Sequence, residues 1–325
     1  MIDDRESAAS GEAAPGSAKR TRTSGSLIEP ADTVDGLRNL PAGYRHPHAS
    51  EQARRIAEDG LILRVQVGSG VHGTAVAGQD DRDEMGICLE PPQFVTGVAR
   101  VPAGTGADSR TVVFEQYERH TAWDQPGGLA RRSGAGDLDI VIYSARKWAS
   151  LALAGNPTVL LALFVPDHEV VYRNDTGSEL VANAHRFVSR LAADRFLGYL
   201  RAQRRAMTGE GPAHTNRPEL VAVHGYDTKF AMHALRLGIQ GSELLTSGRI
   251  TLPIPEPHRT YLRAIRRGEI PLTEVIDAID TAEQQLVNLQ SASSLPDEPD
   301  RDWVNEWLHR SYVAFWKRCT RLSRG

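Results

Sequence analysis

Residues 61–89 read LILRVQVGSGVHGTAVAGQDDRDEMGICL, and this stretch decides the fold. Its first seven residues have the alternation of a β-strand, which runs directly into Gly68-Ser69. A second β-like run follows Asp81-Arg82-Asp83. Because side chains alternate along a strand, the two aspartates point to one face. We therefore expect a strand, a Gly-Ser turn and a second strand that presents two carboxylates together.

The paired carboxylates favour a divalent metal site. Mg²⁺ prefers oxygen ligands and commonly takes one or two carboxylates together with substrate phosphates. Gly68 lets the backbone approach a phosphate, and the hydroxyl and amide of Ser69 can donate hydrogen bonds to it. The alternative interpretation of the aspartates is a solvated turn, because Asp is common in turns. His72, in the same segment, is expected to be a loop residue.

A second candidate cluster is cationic and lies on a predicted helix over residues 227–240. Lys229, His233 and Arg236 have helical spacing and share one face, with Gln240 one turn further on. Arg offers a bidentate fork and Lys a point charge, so this face is a candidate binding site for a nucleoside triphosphate. The alternative is a solvated helix face. Weaker basic candidates are Arg146, Lys147, Arg201, Arg204 and Arg205.

These motifs resemble the signature of the polymerase-β-type nucleotidyltransferase superfamily, which is a strand, a Gly-Ser turn, about ten residues and an Asp-x-Asp. Within it, the sequence is similar to predicted nucleotidyltransferases related to the RNA repair pathway DNA polymerase beta family, over residues 61–290. The motifs that carry the resemblance are Gly68-Ser69, Asp81-Arg82-Asp83-Glu84-Met85-Gly86, and residues 137–147, 153–157, 216–219, 225–237 and 250–253.

The resemblance implies transfer of a nucleoside monophosphate from a nucleoside triphosphate, with two Mg²⁺ ions held by three carboxylates. By matching positions, these carboxylates are Asp81, Asp83 and either Asp139 or Asp137. Asp137 and Asp139 share a strand face, so alternation alone does not separate them. Asp139 begins an unbroken β-like run, and metal ligands work best on rigid elements. We therefore predict Asp139 as the third ligand, with Asp137 as the alternative.

The chain departs from the family pattern at two places. Relatives often carry an acidic residue shortly after Asn-Pro, where this chain has Thr158-Val159-Leu160-Leu161. Glu84 stands beside the second aspartate in place of the usual apolar residue. The first departure concerns a contact on the substrate side rather than the metal ligands.

The amino-acid composition restricts which binding partners and which cellular compartment we expect. The 325 residues include 38 Lys and Arg against 41 Asp and Glu, for a net charge of −3, which excludes a globally basic nucleic-acid-binding surface but leaves a local one open. The two cysteines, Cys88 and Cys319, are too few and too far apart for a disulfide framework, so we expect a cytoplasmic protein. No apolar run approaches the roughly 18 residues of a membrane span, and no membrane partner is expected.

The sequence divides into three predicted parts. Residues 1–49 hold few side chains that could be buried and are expected to form a disordered arm. Residues 50–175 carry the strand and turn signals of the predicted nucleotidyltransferase catalytic domain. Residues 176–325 read mostly as helices that close over the nucleotide. The predicted fold class is α+β, with a small mixed β-sheet domain followed by a helical domain.

The predicted function is Mg²⁺-dependent transfer of a nucleoside monophosphate to an acceptor hydroxyl. An RNA end, a DNA end, a protein hydroxyl and a small molecule all stay open as acceptors, as do the base preference and the oligomeric state. One alternative is a nucleotide-binding protein without catalysis. Another is a dinucleotide-binding oxidoreductase, because Gly68, Gly70 and Gly73 match the Rossmann fingerprint and Glu90 follows about twenty residues on. Against it, Gly78 and the acids after it leave too little room for a crossover helix.

Overall fold

The computed structural model describes residues 46, 48–76, 78, 80–103, 110–209 and 217–322. The strands are β1 Leu61–Val67, β2 Arg82–Cys88, β3 Val101–Ala103, β4 Arg110–Val112, β5 Gln116–His120, β6 Leu138–Ser144 and β7 Val170–Arg173. The α-helices are α1 Glu51–Asp59, α2 Gly68–His72, α3 Pro92–Val95, α4 Ala145–Leu153, α5 Pro157–Leu160, α6 Asp175–Ala182, α7 Ala192–Met207, α8 Pro218–His224, α9 Thr228–Ser247, α10 His258–Arg266, α11 Leu272–Ala292 and α12 Arg301–Leu322. Strands dominate the first half and helices the second, which confirms the predicted α+β class.

A five-stranded mixed sheet organises the first half, in the order β5-β6-β2-β1-β7. Strands β2 and β6 pair in parallel, whereas the pairs β1–β2, β5–β6 and β1–β7 are antiparallel. The Rossmann fingerprint requires parallel strands on either side of its glycine turn. Here the turn after β1 leads into an antiparallel neighbour, so the dinucleotide-binding alternative is wrong.

Several helix boundaries follow from capping signals in the sequence. The Ser50 side chain accepts a hydrogen bond from the Ala53 amide at the start of α1, and Gly60 ends the helix. Ser144 caps α4 in the same way by accepting from the Lys147 amide. Because side-chain oxygens satisfy amides that have no partner within the helix, these serines fix where the helices begin. Helix α4 consequently begins directly at the end of β6.

Helix α9 is the centre of the helical half. It packs against α7, α10 and α11, and its buried face includes Phe230, Leu237 and Leu244. One hydrophobic core extends from β1 through α9 to α12, so the sheet and the helices share buried contacts. The boundary at residue 175 therefore stays a prediction, because the core runs across it.

Glu90, which lies just after β2, is fully buried and ties the last helix to the sheet. Its carboxylate accepts a hydrogen bond from the Tyr312 hydroxyl on α12 and lies 3.2 Å from a guanidinium nitrogen of Arg146. The Trp316 indole donates to the Glu90 carbonyl oxygen at 2.8 Å. Glu90 thus has a structural role, and it also engages Arg146, one of the weaker phosphate-binding candidates.

Most of the predicted N-terminal arm lies outside the described residues. Its described part packs on edge strand β5, because the Glu118 amide donates to the His48 carbonyl oxygen at 3.0 Å. The His46 ring lies 5.0 Å from the ring of Trp123, between centroids. These contacts place the start of the described chain beside the β5 edge.

Deletion of residues 1–45 is expected to leave the melting temperature of the protein nearly unchanged. The compositional bias of these residues offers little apolar surface to bury. Deletion of residues 1–49 is the matched comparison, and it should lower the melting temperature because it removes the contacts of His46 and His48 with β5. Thermal unfolding of both proteins checks the expectation. A clear drop after the shorter deletion would show that residues 1–45 dock on the fold.

Within the described residues, no helix combines the length and the apolar character needed to cross a membrane.

Candidate functional site

The parallel pair β2 and β6 brings the predicted carboxylates together. Asp83 on β2 is the direct register partner of Asp139 on β6. Asp81 comes two residues before Asp83, so the alternation of the chain turns it to the same face. Carboxylate oxygens of Asp81, Asp83 and Asp139 all lie within 4.8 Å of one another. The structure therefore forms one acidic cluster from two separate sequence motifs.

The electrostatics of this cluster fit a divalent cation. Burial, and then repulsion from Asp81 and Asp139, raises the pKa of Asp83 to about 7. Burial, and then Asp139, also raises the pKa of Asp81. Like charges this close disfavour joint ionisation, whereas a cation between them favours it. Carboxylate oxygens are the ligands that Mg²⁺ prefers, so these three side chains are suited to hold it.

Gly68 is required by its close approach to Asp83. Its φ is +71°, in the left-handed region that favours glycine. A Cβ atom at this position would lie 2.7 Å from the Asp83 carboxyl carbon. The next residue, Ser69, is half-buried in the five-residue helix α2. The Gly-Ser turn and Asp83 are therefore immediate neighbours.

Two residues that the sequence analysis did not identify hold Asp139 in place. The Ser133 hydroxyl donates to one carboxylate oxygen at 2.6 Å, and His120 Nδ1 lies 2.7 Å from the other. The His120 ring in turn stacks on Trp123, with 4.4 Å between ring centroids. Both oxygens of Asp139 thus have partners on the β5 side of the cluster. Period-two alternation could have placed His120 on this face only if the β5–β6 register were known.

Asp137 has a different set of partners, all in the loop between β5 and β6. Its buried carboxylate accepts hydrogen bonds from the Thr121 hydroxyl at 3.0 Å, the Gln125 amide at 2.9 Å and the Gly134 backbone amide at 3.1 Å. The Gly134 hydrogen bond is the largest cause of a lowered pKa for Asp137. Its geometry is that of a loop-organising residue, and the same loop carries Ser133 to Asp139.

The cationic face of α9 lies opposite the carboxylates. Asp227 caps the helix by accepting from the amides of Lys229 and Phe230, at 3.0 and 3.1 Å. Burial lowers the pKa of Lys229, and Asp81 partly offsets this, as expected for a lysine facing the acidic cluster. Burial, and then Arg236, lowers the pKa of His233 well below its usual value. Lys229, His233 and Arg236 thus form one group of neighbouring basic side chains, which we call the bases of α9.

Two further arginines, Arg217 and Arg266, join this group, and the sequence analysis placed neither of them in it. Arg217 and Arg266 are, after burial, the main causes of the lowered pKa of Lys229. Arg266 also lies 3.7 Å from Asp80, just before the Asp-x-Asp motif, and Arg217 lies 3.4 Å from Asp227. Both come from other helices or loops than Lys229, so helical spacing could not have grouped them.

His72 is not the loop residue that the sequence predicted. It ends α2 and is buried, with Nε2 2.6 Å from an Arg236 guanidinium nitrogen and Nδ1 3.2 Å from the Gln240 amide. Gln240, predicted to continue the cationic face, is itself buried. The difference arises because α9 packs directly over the Gly-Ser turn, a long-range contact that no local pattern contains.

Three of the remaining basic candidates have acidic partners of their own. Lys147 lies 3.0 Å from Glu115 on the β5 side of α4, and Arg201 and Arg204 lie 2.7 and 2.6 Å from Glu283 and Asp280 on α11. Arg205 is exposed on the same helix, α7.

The structure explains both departures from the family pattern, Glu84 and the apolar stretch after Asn-Pro. Glu84 is buried and forms ion pairs with Arg64 at 2.5 Å and Arg82 at 2.7 Å, which compensate its charge. In the stretch after Asn-Pro, Val159, Leu160 and Leu161 are buried in the main core. That stretch therefore contributes packing in this chain rather than a polar contact.

A mixed sheet that presents three carboxylates beside a Gly-Ser turn is the arrangement expected of a polymerase-β-type nucleotidyltransferase. Residues 46–310 match the model of the family described as RlaP, the RNA repair pathway DNA polymerase beta family, and the chain belongs to this family.

Among solved structures, the chain is similar to a nucleotidyltransferase-like protein from Exiguobacterium sibiricum 255-15. The identity is 12%, the alignment covers 74% of this chain and 72% of that chain, and the TM-score is 0.26. No curated protein matches the chain.

Proposed function

We propose that the protein transfers a nucleoside monophosphate from a nucleoside triphosphate to the hydroxyl of a nucleic-acid end, in a Mg²⁺-dependent reaction. The observation that carries the proposal is the acidic cluster of Asp81, Asp83 and Asp139 facing the bases of α9. Family membership supports nucleotidyl transfer in general, and the RNA repair description of the family supports an RNA end as acceptor.

The bases of α9 bind the triphosphate in this proposal. A triphosphate carries several negative charges, and Lys229, His233 and Arg236 offer it donors of different geometry, with Arg217 and Arg266 beside them. The hydroxyl and amide of Ser69 supply further donors next to the carboxylates. Divalent cations bound by the three carboxylates would stabilise the charge of the transferred and departing phosphates and favour ionisation of the acceptor hydroxyl.

The acceptor approaches from the β5 side. Lys229 favours the charged forms of Asp81 and Asp83, whereas Asp139 contacts His120 on β5 and Ser133 in the loop that follows β5. The acceptor oxygen forms a bond to the α-phosphorus, the bond from that phosphorus to pyrophosphate breaks, and the hydroxyl proton passes to solvent water. Because Asp139 is held in a fixed position, it would keep the acceptor oxygen in line with the α-phosphate. Alignment of this kind is a main source of catalysis in phosphoryl transfer.

The test is to supply each of the four ribonucleoside triphosphates, labelled at the α-phosphate, with Mg²⁺ and one acceptor at a time. The acceptors are a short RNA, a short single-stranded DNA and a protein. We expect label on the RNA end, and none with Asp83→Asn as the matched blank. Label on DNA or protein instead would replace the proposed acceptor. Triphosphate binding without labelling of any acceptor would indicate a nucleotide-binding protein without catalysis.

A further inference from the structure

His72 connects the Gly-Ser turn to the cationic helix. Its Nε2 lies 2.6 Å from Nη1 of Arg236, and the same Nη1 donates to the Gln240 side-chain oxygen at 3.2 Å. The His72 side chain is buried, so bulk water does not compete for these contacts. One guanidinium nitrogen is therefore held between two side chains that come from different parts of the chain.

The chemistry of the pair fixes which atom donates. A guanidinium has five N–H donors and no acceptor, so the imidazole must offer the lone pair of Nε2. A neutral ring is required for this, and burial together with the charge of Arg236 lowers the pKa of His72 well below its usual value. His72 is consequently a hydrogen-bond acceptor directed at Arg236.

Hydrogen bonds hold the backbone around His72, so the position from which the imidazole extends is fixed. The Ile254 amide donates to the His72 carbonyl oxygen at 3.2 Å, and Arg263 Nε donates to the Gly73 carbonyl oxygen at 2.7 Å. Gly73 has a φ of +72°, and a Cβ atom there would lie 2.9 Å from the Arg259 side chain. The end of α2 is thus fastened to the chain around α10.

We infer that His72 is a positioning residue that holds the Arg236 guanidinium ready for the triphosphate, an inference that rests on the proposed function. A long Arg side chain loses rotamer freedom when it binds a ligand, and a guanidinium that is already held loses less. The contact also sets the distance between the Gly-Ser turn, which neighbours the carboxylates, and the bases of α9. Arg236 touches the phosphates, and His72 acts through Arg236.

The test compares three substitutions of His72 with Arg236→Ala. A Gln side chain can place an acceptor oxygen near the position of Nε2, whereas Asn reaches only the position of Nδ1, which faces Gln240. We expect His72→Leu and His72→Asn to weaken triphosphate binding about 10-fold, the effect of losing one hydrogen bond to a charged group, and to leave monophosphate binding nearly unchanged. His72→Gln should restore binding to within about 3-fold of the wild type.

Arg236→Ala should produce the same selective loss for the triphosphate, and His72→Leu should add nothing to it in the double variant. Additive losses, or equal losses for triphosphate and monophosphate, would overturn the inference. Melting temperatures of all variants identify any that fail to fold, and His72→Gln keeps the test valid if His72→Leu is one of them.

A ligand-free readout separates this inference from the proposed function. In the ¹⁵N NMR spectrum, the Arg236 guanidinium should rotate slowly in the wild type and in His72→Gln, and fast in His72→Leu. Equal rotation in all three proteins would overturn the positioning role whether or not triphosphate binds. Slow rotation in a wild-type protein that binds no triphosphate would overturn the proposed function, and the inference about phosphate binding with it.

Discussion

Asp83→Asn is expected to abolish Mg²⁺-dependent nucleotidyl transfer and, in the absence of metal, to raise the melting temperature at pH 8. The folded protein holds Asp83 with a pKa of about 7, above the ordinary value of 3.8 for an aspartate. A raised carboxyl pKa contributes stability at low pH, and that stability is lost as the pH rises from about 4 through 7. An uncharged Asn avoids this loss, so the variant should gain on the wild type between pH 5 and pH 8.

Thermal unfolding at these two pH values, with and without Mg²⁺, checks the expectation. Mg²⁺ should raise the melting temperature of the wild type at pH 8 and leave that of Asp83→Asn almost unchanged, because a ligand stabilises the state that binds it. Asp167→Asn is the matched control, since Asp167 is an exposed acid far along the chain that pairs with Arg173. Unchanged turnover in Asp83→Asn, or an equal response of both proteins to Mg²⁺, would refute the site.

Asp139→Asn and Asp137→Asn are expected to have unequal effects on activity. Asp139→Asn removes a carboxylate from the acidic cluster and should reduce activity to background at all Mg²⁺ concentrations. Asp137→Asn keeps the cluster but weakens the loop that carries Ser133, so it should cost about 10-fold, in the range of residues that orient a metal ligand. Activity measured across a Mg²⁺ titration distinguishes the two variants.

Ser133→Ala is the matched control for that pair of variants. It removes the hydroxyl that reaches Asp139 without changing charge, so it should resemble Asp137→Asn rather than Asp139→Asn. If Asp137→Asn is inactive while Asp139→Asn only needs more Mg²⁺, Asp137 is the third ligand and the roles are reversed.

Sequence reasoning succeeded where the signal is local. Alternation predicted β1, and helical spacing predicted that Lys229, His233 and Arg236 share a face. Each of these depends on neighbours within a few residues, where backbone geometry fixes which side chains meet. The pairing of Asp83 with Asp139 came from the family resemblance, because no single-chain pattern specifies which strands lie side by side.

The parts that sequence reasoning missed are all contacts between distant segments. His72 looked like a loop residue because its partners, Arg236 and Gln240, lie more than 160 positions away. Arg266 belongs to a short helix with no motif of its own, and only packing brings it beside Asp80. Placing His120 beside Asp139 requires the β5–β6 register, which the sequence does not provide. Side chains of this kind carry no periodicity of their own, since their neighbours are set by how whole elements pack.

The order of the chain also has a consequence for synthesis. Domains generally fold as the chain emerges, N-terminal parts first. The three carboxylates are synthesised long before Lys229 and Arg266. The partner of Glu90, Tyr312 on α12, is synthesised later still. A nascent chain that ends before α9 carries the acidic side chains without the basic ones, so the candidate site can be complete only late in translation. Premature termination before α9 therefore yields fragments that carry the acidic cluster without Lys229, His233 and Arg236.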